Sequence, residues 1–495
     1  MHHRTVSTAA LSSAAVSALL LSTACSPVQS SEGSSATEEA AGDEGTAPAF
    51  DEVSVHDPSV ILAEDEYWVF GSHLASAKSE DLVSWEQHTG DLVDLENPLF
   101  DDVTEELSET LEWAQSDTLW AADVTQLADG RYYMYYNACR GDSPRSAMGA
   151  AVADSVDGPY EDLGIILRSG HEEDEGPSED GTPYDAQTHP NVVDPHVFYD
   201  AEGELWMVYG SYSGGIFILE MDEDTGMPVE GQGYGEHLMG GNHSRIEAPY
   251  MMHDPESGYY YLLTTFGGLD PDGGYTMRVA RSENPDGPFY DAAGNPMEDV
   301  ASDPEEEVFD DASIEPYAST MMGNHLFLGS EEGHEDQGYV SPGHNSAYLD
   351  PDTGQMHLFF HTRFPEEAEM HQVRVHQMHF NADGWPVVAP HRYAGGAEDP
   401  VAEDEVPGDY RLITHPREIS EDIVESEEIT LSEDGEISGA AEGSWELTGE
   451  KDIELTVDGE RHTGVVTREW DEGAQRWTQT FSVMSQDGVA LWGSR

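Results

Sequence analysis

The strongest constraint on the fold is a short aromatic segment that returns five times behind an acidic or glycine-containing turn, at residues 66–71, 129–136, 202–210, 258–263 and 354–360. Tyr, Trp, Phe, Val and Met dominate these segments, and such side chains pack well on a pleated, half-buried surface, so each reads as a strand. Upstream of each turn stands a polar residue that opens another strand-like stretch. These five are Asp57, Asp123, Asp194, Glu247 and His344, separated by 66, 71, 53 and 97 positions. Five hairpin-linked units of that length predict an all-β fold, a five-bladed β-propeller. In such a ring the innermost strand of every blade faces the central axis, so residues far apart in sequence converge there.

Charge narrows the partners. The 495 residues hold 19 Lys+Arg against 101 Asp+Glu, a formal net charge of −82. Such a surface repels a polyanion, which excludes a nucleic-acid binder. Hydrophobic residues at 38% still supply a large core, so the acidity does not imply disorder. Lys78 and Lys451 are the only lysines, and the acids run through the whole chain. The pattern is that of a protein adapted to brine, where a Debye length of about 3 Å at 1 M salt screens the self-repulsion. A halophilic protein is the expectation.

The ends of the chain read differently from its middle. Arg4 followed by an apolar, small-residue stretch over 9–21 predicts a signal peptide, too short to span a bilayer. Ser22-Thr23-Ala24-Cys25 resembles a lipobox, which makes Cys25 a candidate for lipidation over residues 1–25, with plain secretion as the alternative. Residues 26–50 read as a flexible acidic, Ser-rich linker, 51–396 as the propeller, and 405–495 as a small C-terminal β-barrel or sandwich with Gly turns between short alternating strands. Once Cys25 is modified, Cys139 has no partner for an intrachain disulfide and is expected to be a buried, inert thiol.

Three of the five axial residues sit in similar settings: His56-Asp57-Pro58-Ser59, Asn191-Val192-Val193-Asp194-Pro195 and Ile246-Glu247-Ala248-Pro249-Tyr250. A lone carboxylate among 101 acids is most simply a turn cap; recurrence at equivalent places of a repeat lifts these three above that reading. Together with Trp120-Ala121-Ala122-Asp123-Val124, Asp157-Gly158-Pro159-Tyr160 and residues 210–216, they resemble glycoside hydrolase family 43, a family of five-bladed propellers. Within it, residues 266–282, His344-Asn345-Ser346, His361-Thr362-Arg363-Phe364, residues 374–378 and 383–387 resemble the two-domain bacterial endo-α-1,5-L-arabinanases.

The resemblance implies an inverting hydrolysis with Asp57 as general base, Glu247 as general acid and Asp194 as the carboxylate that orients the acid and tunes its pKa. Inversion places acid and base roughly 6.5–9.5 Å apart, leaving room for the attacking water. It also implies that His344 helps to hold a hydrated calcium ion. The 22 histidines show no zinc motif, and several alternate along strands with apolar residues. Sugar rings are met by flat aromatic faces and a few orienting polar groups. His56, Trp120 and Asn191 are the first candidates for this role, followed by Tyr212, Phe266 and Arg363. The expected protein is an extracellular, lipid-anchored, monomeric endo-acting arabinanase. The alternatives are an exo-acting α-L-arabinofuranosidase or β-xylosidase, and a non-catalytic sugar-binding lipoprotein.

Overall fold

Each aromatic segment forms the second strand of an antiparallel sheet, and five such sheets make the blades. Their first strands are Ser59–Ala63, Leu119–Gln126, His196–Tyr199, Ile246–His253 and Gln337–Leu349; their second strands are Glu66–Phe70, Tyr132–Cys139, Leu205–Tyr209, Tyr260–Phe266 and Met356–Arg363. The first strands pack against one another in chain order, and that of blade 5 packs against that of blade 1, closing the ring. The computed structural model describes residues 47–90, 97–351, 353–395 and 401–495. Cys25, the signal peptide and most of the expected linker lie outside the described residues.

The second strands read as aromatic runs because blades cover both of their faces. Tyr132–Cys139, Tyr260–Phe266 and Met356–Arg363 are buried at every position. A strand wetted on one face would alternate instead. Apolar clusters fill the wedges between successive blades: Phe70 and Tyr136 lie between blades 1 and 2, Tyr135 and Met207 between 2 and 3, and Ile218 and Leu262 between 3 and 4. Each fully buried side chain of this size contributes about 1.5–3 kcal/mol. Packing is tight enough to dictate Gly149, where a Cβ would fall 2.3 Å from the Tyr136 ring.

Residues 50–53 stitch the seam between the first and last blades. Asp51 bridges Ser84 in blade 1, while the Val373 amide of blade 5 donates to the Val53 carbonyl at 3.0 Å. Glu52 pairs with Arg374 at 2.8 Å and Arg392 at 2.6 Å, and the Arg392 guanidinium covers the Phe50 ring.

The C-terminal segment closes as an eight-stranded barrel, running from Gly408–His415 to Ala490–Ser494, with those two strands paired to each other. Closure leaves no open edge, which selects the barrel over the sandwich. The barrel and propeller interlock: Val424–Glu425 adds in parallel to His325–Phe327 beside blade 5, and Trp492 packs edge-on against His325 and His415. Burial holds His325, His376, His391 and His415 below the usual histidine range, so these rings pack as neutral side chains. Arg411 pairs with the fully buried Asp471 at 2.5 Å, and His334 joins them at 3.2 Å.

Candidate active site

The residues that open the repeats meet at the axis, and left-handed backbone aims several of them. Asp57, Asp194 and His344 have φ of 60°, 54° and 50°. Such angles are uncommon outside glycine, although Asp and His adopt them more readily than most. Irregularities in the ladder accompany them. The pairing slips between Glu247 and Tyr250 in blade 4 and again between Gly343 and Ser346 in blade 5. A bulge of this kind re-aims a side chain that a regular strand would point elsewhere.

Three imidazoles surround Asp57, two of which hold its carboxylate. The Nδ1 atoms of His56, His344 and His361 lie 2.8, 2.9 and 3.6 Å from Oδ1. The Asp57 amide donates to His361 Nδ1 at 3.1 Å, and the Ser72 hydroxyl donates to Oδ2. Burial alone would raise the Asp57 carboxyl; the charges and hydrogen bonds of His344 and His56 overcome it and hold the group well below the usual carboxylate range.

Glu247 has the opposite surroundings. Burial, then the charge of Asp194, pushes its carboxyl up to about 8, against weaker opposition from His344 and from the Ser211 hydroxyl. Ser211 donates to Oε2 at 2.7 Å and the Tyr275 hydroxyl donates to Oε1. Asp194 lies between the two extremes, at about 6: burial raises it, His344 lowers it, and Asp57 raises it again. Its Oδ2 accepts from the Ala248 amide at 3.2 Å, which ties it to the residue after Glu247. At neutral pH the site therefore holds an ionised Asp57, a protonated Glu247 and a mostly ionised Asp194. Two titratable groups pushed apart in this way form an acid and base pair.

Asp123 does not join this group. Its carboxylate accepts from Ser59 Oγ at 2.6 Å and the Val197 amide at 2.8 Å, and so knots blades 1, 2 and 3 together.

The binding candidates divide. His56 stacks on His361 with ring centroids 3.8 Å apart. Tyr212 follows Ser211, accepts no more than partial cover, and donates its hydroxyl to the Gly267 carbonyl at 3.1 Å. Trp120 is half-buried, with its ring 3.4 Å from where a Cβ on Gly141 would stand. The Asn191 amide is engaged by the Ser146 hydroxyl and by the Cys139 sulfur at 3.9 Å. Burial raises the Cys139 thiol, in keeping with an inert group. Arg363 is 3% exposed and its Nε pairs with Glu369 at 3.0 Å. Phe266 is a correction. Its ring is fully buried in the wedge core and capped by the Arg278 guanidinium at 4.4 Å, so it has no face to offer a sugar.

Four residues of the site carried no signal in the repeat pattern. Ser72, Ser211, Tyr275 and His361 act through individual hydrogen bonds or ring contacts, which no periodicity marks. Ser211, Tyr275 and His361 do fall within the motifs shared with family 43.

The donor chemistry permits a hydrated cation at His344. Among the described residues, His56, Asp57 and His361 are the one set of metal-ligating atoms that converges. Nitrogen dominates that set, whereas calcium takes six to eight oxygens, so calcium does not fit it as direct ligands. His344 is different. Asp57 holds its Nδ1, which leaves Nε2 as the nitrogen a cation would use. Burial lowers this imidazole but Asp57 and Asp194 push it up to about 9, so Nε2 takes a ligand only by giving up its proton. One such nitrogen suits an ion that keeps most of its water.

Similarity to known proteins agrees with this geometry. The chain is 58% identical over 448 residues to extracellular endo-α-(1→5)-L-arabinanase 2 of Bacillus subtilis, covering 90% of this chain and 94% of that protein. The crystal structure of a glycoside hydrolase family 43 protein from Bacillus licheniformis superposes with a TM-score of 0.87 at 59% identity, covering 90% and 99% of the two chains. The endo-1,5-α-L-arabinanase of Thermotoga petrophila does so with a TM-score of 0.86 at 47% identity and the same coverage. Residues 390–493 match the model of a C-terminal lipocalin-like domain, and residues 50–313 match that of glycosyl hydrolases family 43. With one axial carboxyl held below the usual carboxylate range and another raised above it inside a five-bladed ring, this chain belongs to glycosyl hydrolases family 43.

Proposed function

We propose that the chain is an endo-acting α-1,5-L-arabinanase that cleaves arabinan by single displacement with inversion. The observation that carries this reading is the split between Asp57, held ionised by its imidazoles, and Glu247, held protonated by burial and Asp194. Asp57 draws a proton from the water that attacks the anomeric carbon. Glu247 gives its proton to the departing glycosidic oxygen, and Asp194 keeps that proton on Glu247 until it is needed. Ser211 and Tyr275 fix the acid in place, and Ser72 does the same for the base. Similarity to two named endo-arabinanases favours endo over exo action and over a non-catalytic binder.

The enzyme works outside the cell, anchored through a lipid on Cys25, as a monomer in brine. His344 is the residue that would hold a calcium ion, which would supply a fixed positive charge to the site when bound. Products from debranched linear arabinan, followed across NaCl concentration with and without a chelator, test the reading. A ladder of oligomers supports it, and arabinose alone overturns endo action. Fatty-acid labelling that survives in Cys25→Ser overturns the anchor.

A further inference from the structure

Phe309 is the most conspicuous side chain that the mechanism leaves unused. It is 51% exposed, follows the 65% exposed Val308, and has a φ of 71°. A bulky residue in left-handed backbone is strained, and strain of this kind gathers at ligand-holding sites. Its ring stands edge-on to Tyr212 with centroids 5.6 Å apart, and His243 lies 6.4 Å away on the same patch. Ser213, Asn242 and His243 beside it are also left-handed.

The loop that carries Phe309 is fixed from the acid's own strand. Arg245, two residues before Glu247, pairs with Asp311 through Nε at 3.0 Å, and its Nη1 donates to the Gly273 carbonyl at 3.2 Å. It thus clamps two loops at once, the one holding Phe309 and the one holding the 38% exposed Leu269. Tyr212 links that patch to the chemistry: its amide donates to the Ile246 carbonyl at 2.9 Å, and the preceding Ser211 donates to Glu247. The patch therefore adjoins the acid.

We propose that Phe309, seated against Tyr212, is a subsite for the leaving-group side of the substrate. Its ring stacks on the apolar face of an arabinofuranosyl residue beyond the bond that Glu247 protonates. The inference rests on the arabinan reading and deepens it. The leaving group carries the reducing end, so the subsite governs which bond of a bound oligosaccharide is cut.

The test is the cleavage pattern of arabinohexaose labelled at its reducing end, with kcat/KM on linear arabinan measured alongside. In Phe309→Ala the cuts should move toward the reducing end, because long leaving fragments lose their platform. kcat/KM should fall about five- to tenfold, mainly through KM, the size expected for one stacked ring. Phe309→Trp should restore both within about twofold, since another flat ring replaces the first. Melting temperature should not change, because the side chain is exposed. An unchanged pattern, or cuts moving toward the non-reducing end, overturns the subsite while the arabinan reading stands. A wild-type enzyme that leaves the hexaose intact overturns that reading and the subsite with it.

Discussion

Replacing Asp194 by Asn separates the two causes that keep Glu247 protonated. Asn tolerates the left-handed backbone at this position and still offers an oxygen to the Ala248 amide, so the fold should survive. Glu247 is pushed from an ordinary 4.5 to about 8, roughly 5 kcal/mol in favour of its protonated form at about 1.4 kcal/mol per pH unit. Burial is the larger cause and Asp194 the next. A neighbouring charge typically accounts for about one to three pH units, so the acid should titrate near 6 in the variant and not return to 4.5. With the acid at 6, the protonated fraction at pH 8 drops about fiftyfold, whereas at pH 5 it barely changes. The assay is kcat/KM on a linear arabino-oligosaccharide from pH 4 to 10 at fixed salt. The shape of the profile is the readout, because altered positioning lowers the plateau without moving its edge. A basic limb that stays near 8 refutes the electrostatic role of Asp194. Stability gives a second reading with a definite sign. The folded carboxyl holds its proton more tightly than the unfolded one, so the contribution is full below about pH 4.5 and is lost as pH rises through 8. The variant should lose less over that interval.

Other perturbations probe separate parts of the molecule. Glu247→Gln should lower kcat on arabinan by about 10²–10⁴ while sparing an aryl arabinofuranoside whose leaving group needs no proton. Equal losses on both substrates, measured by sugar release and by absorbance, would count against the acid assignment. Asp471→Asn strands the buried Arg411 charge at the barrel–propeller contact, at a cost of about 3–5 kcal/mol. Calorimetry should then show a melting temperature roughly 3–5 °C lower for a chain of this size.

The ring was legible because each blade repeats the same physical demand. A strand covered on both faces has to be aromatic or aliphatic at every position, so Tyr132–Cys139 and Met356–Arg363 announce themselves as runs. The axial residues followed from the repeat, and Asp57, Asp194, Glu247 and His344 do meet. Asp123 occupies an equivalent place yet ties blades together, because its carboxylate is spent on Ser59 and the Val197 amide. Phe266 departs from the expected sugar-facing role for a related reason: aromatic composition is common to a sugar platform and a wedge core, and only burial separates them. Ser72, Ser211 and Tyr275 could not be read from composition at all, since one well-placed hydroxyl leaves no pattern. The choice between barrel and sandwich turned on the pairing of Arg411 to His415 with the last strand, a contact between the two ends of the segment.

The seam at residues 50–53 makes the ring mechanically polar. Every other junction between blades is crossed by continuous chain, but here closure rests on non-covalent contacts alone. The first strands of blades 1 and 5 pack together, an apolar cluster joins Val55 and Trp85 to Phe359 and Val373, and the stitch adds one backbone bond and the Glu52 ion pairs. Tension or proteolytic trimming applied upstream of Phe50 bears directly on that stitch, whereas the same load on the C-terminus meets a closed barrel first. Asp57 lies only a few residues beyond the stitch. Because His56 of blade 1 and His344 of blade 5 both hold Asp57 across this junction, loosening the seam bears directly on the base.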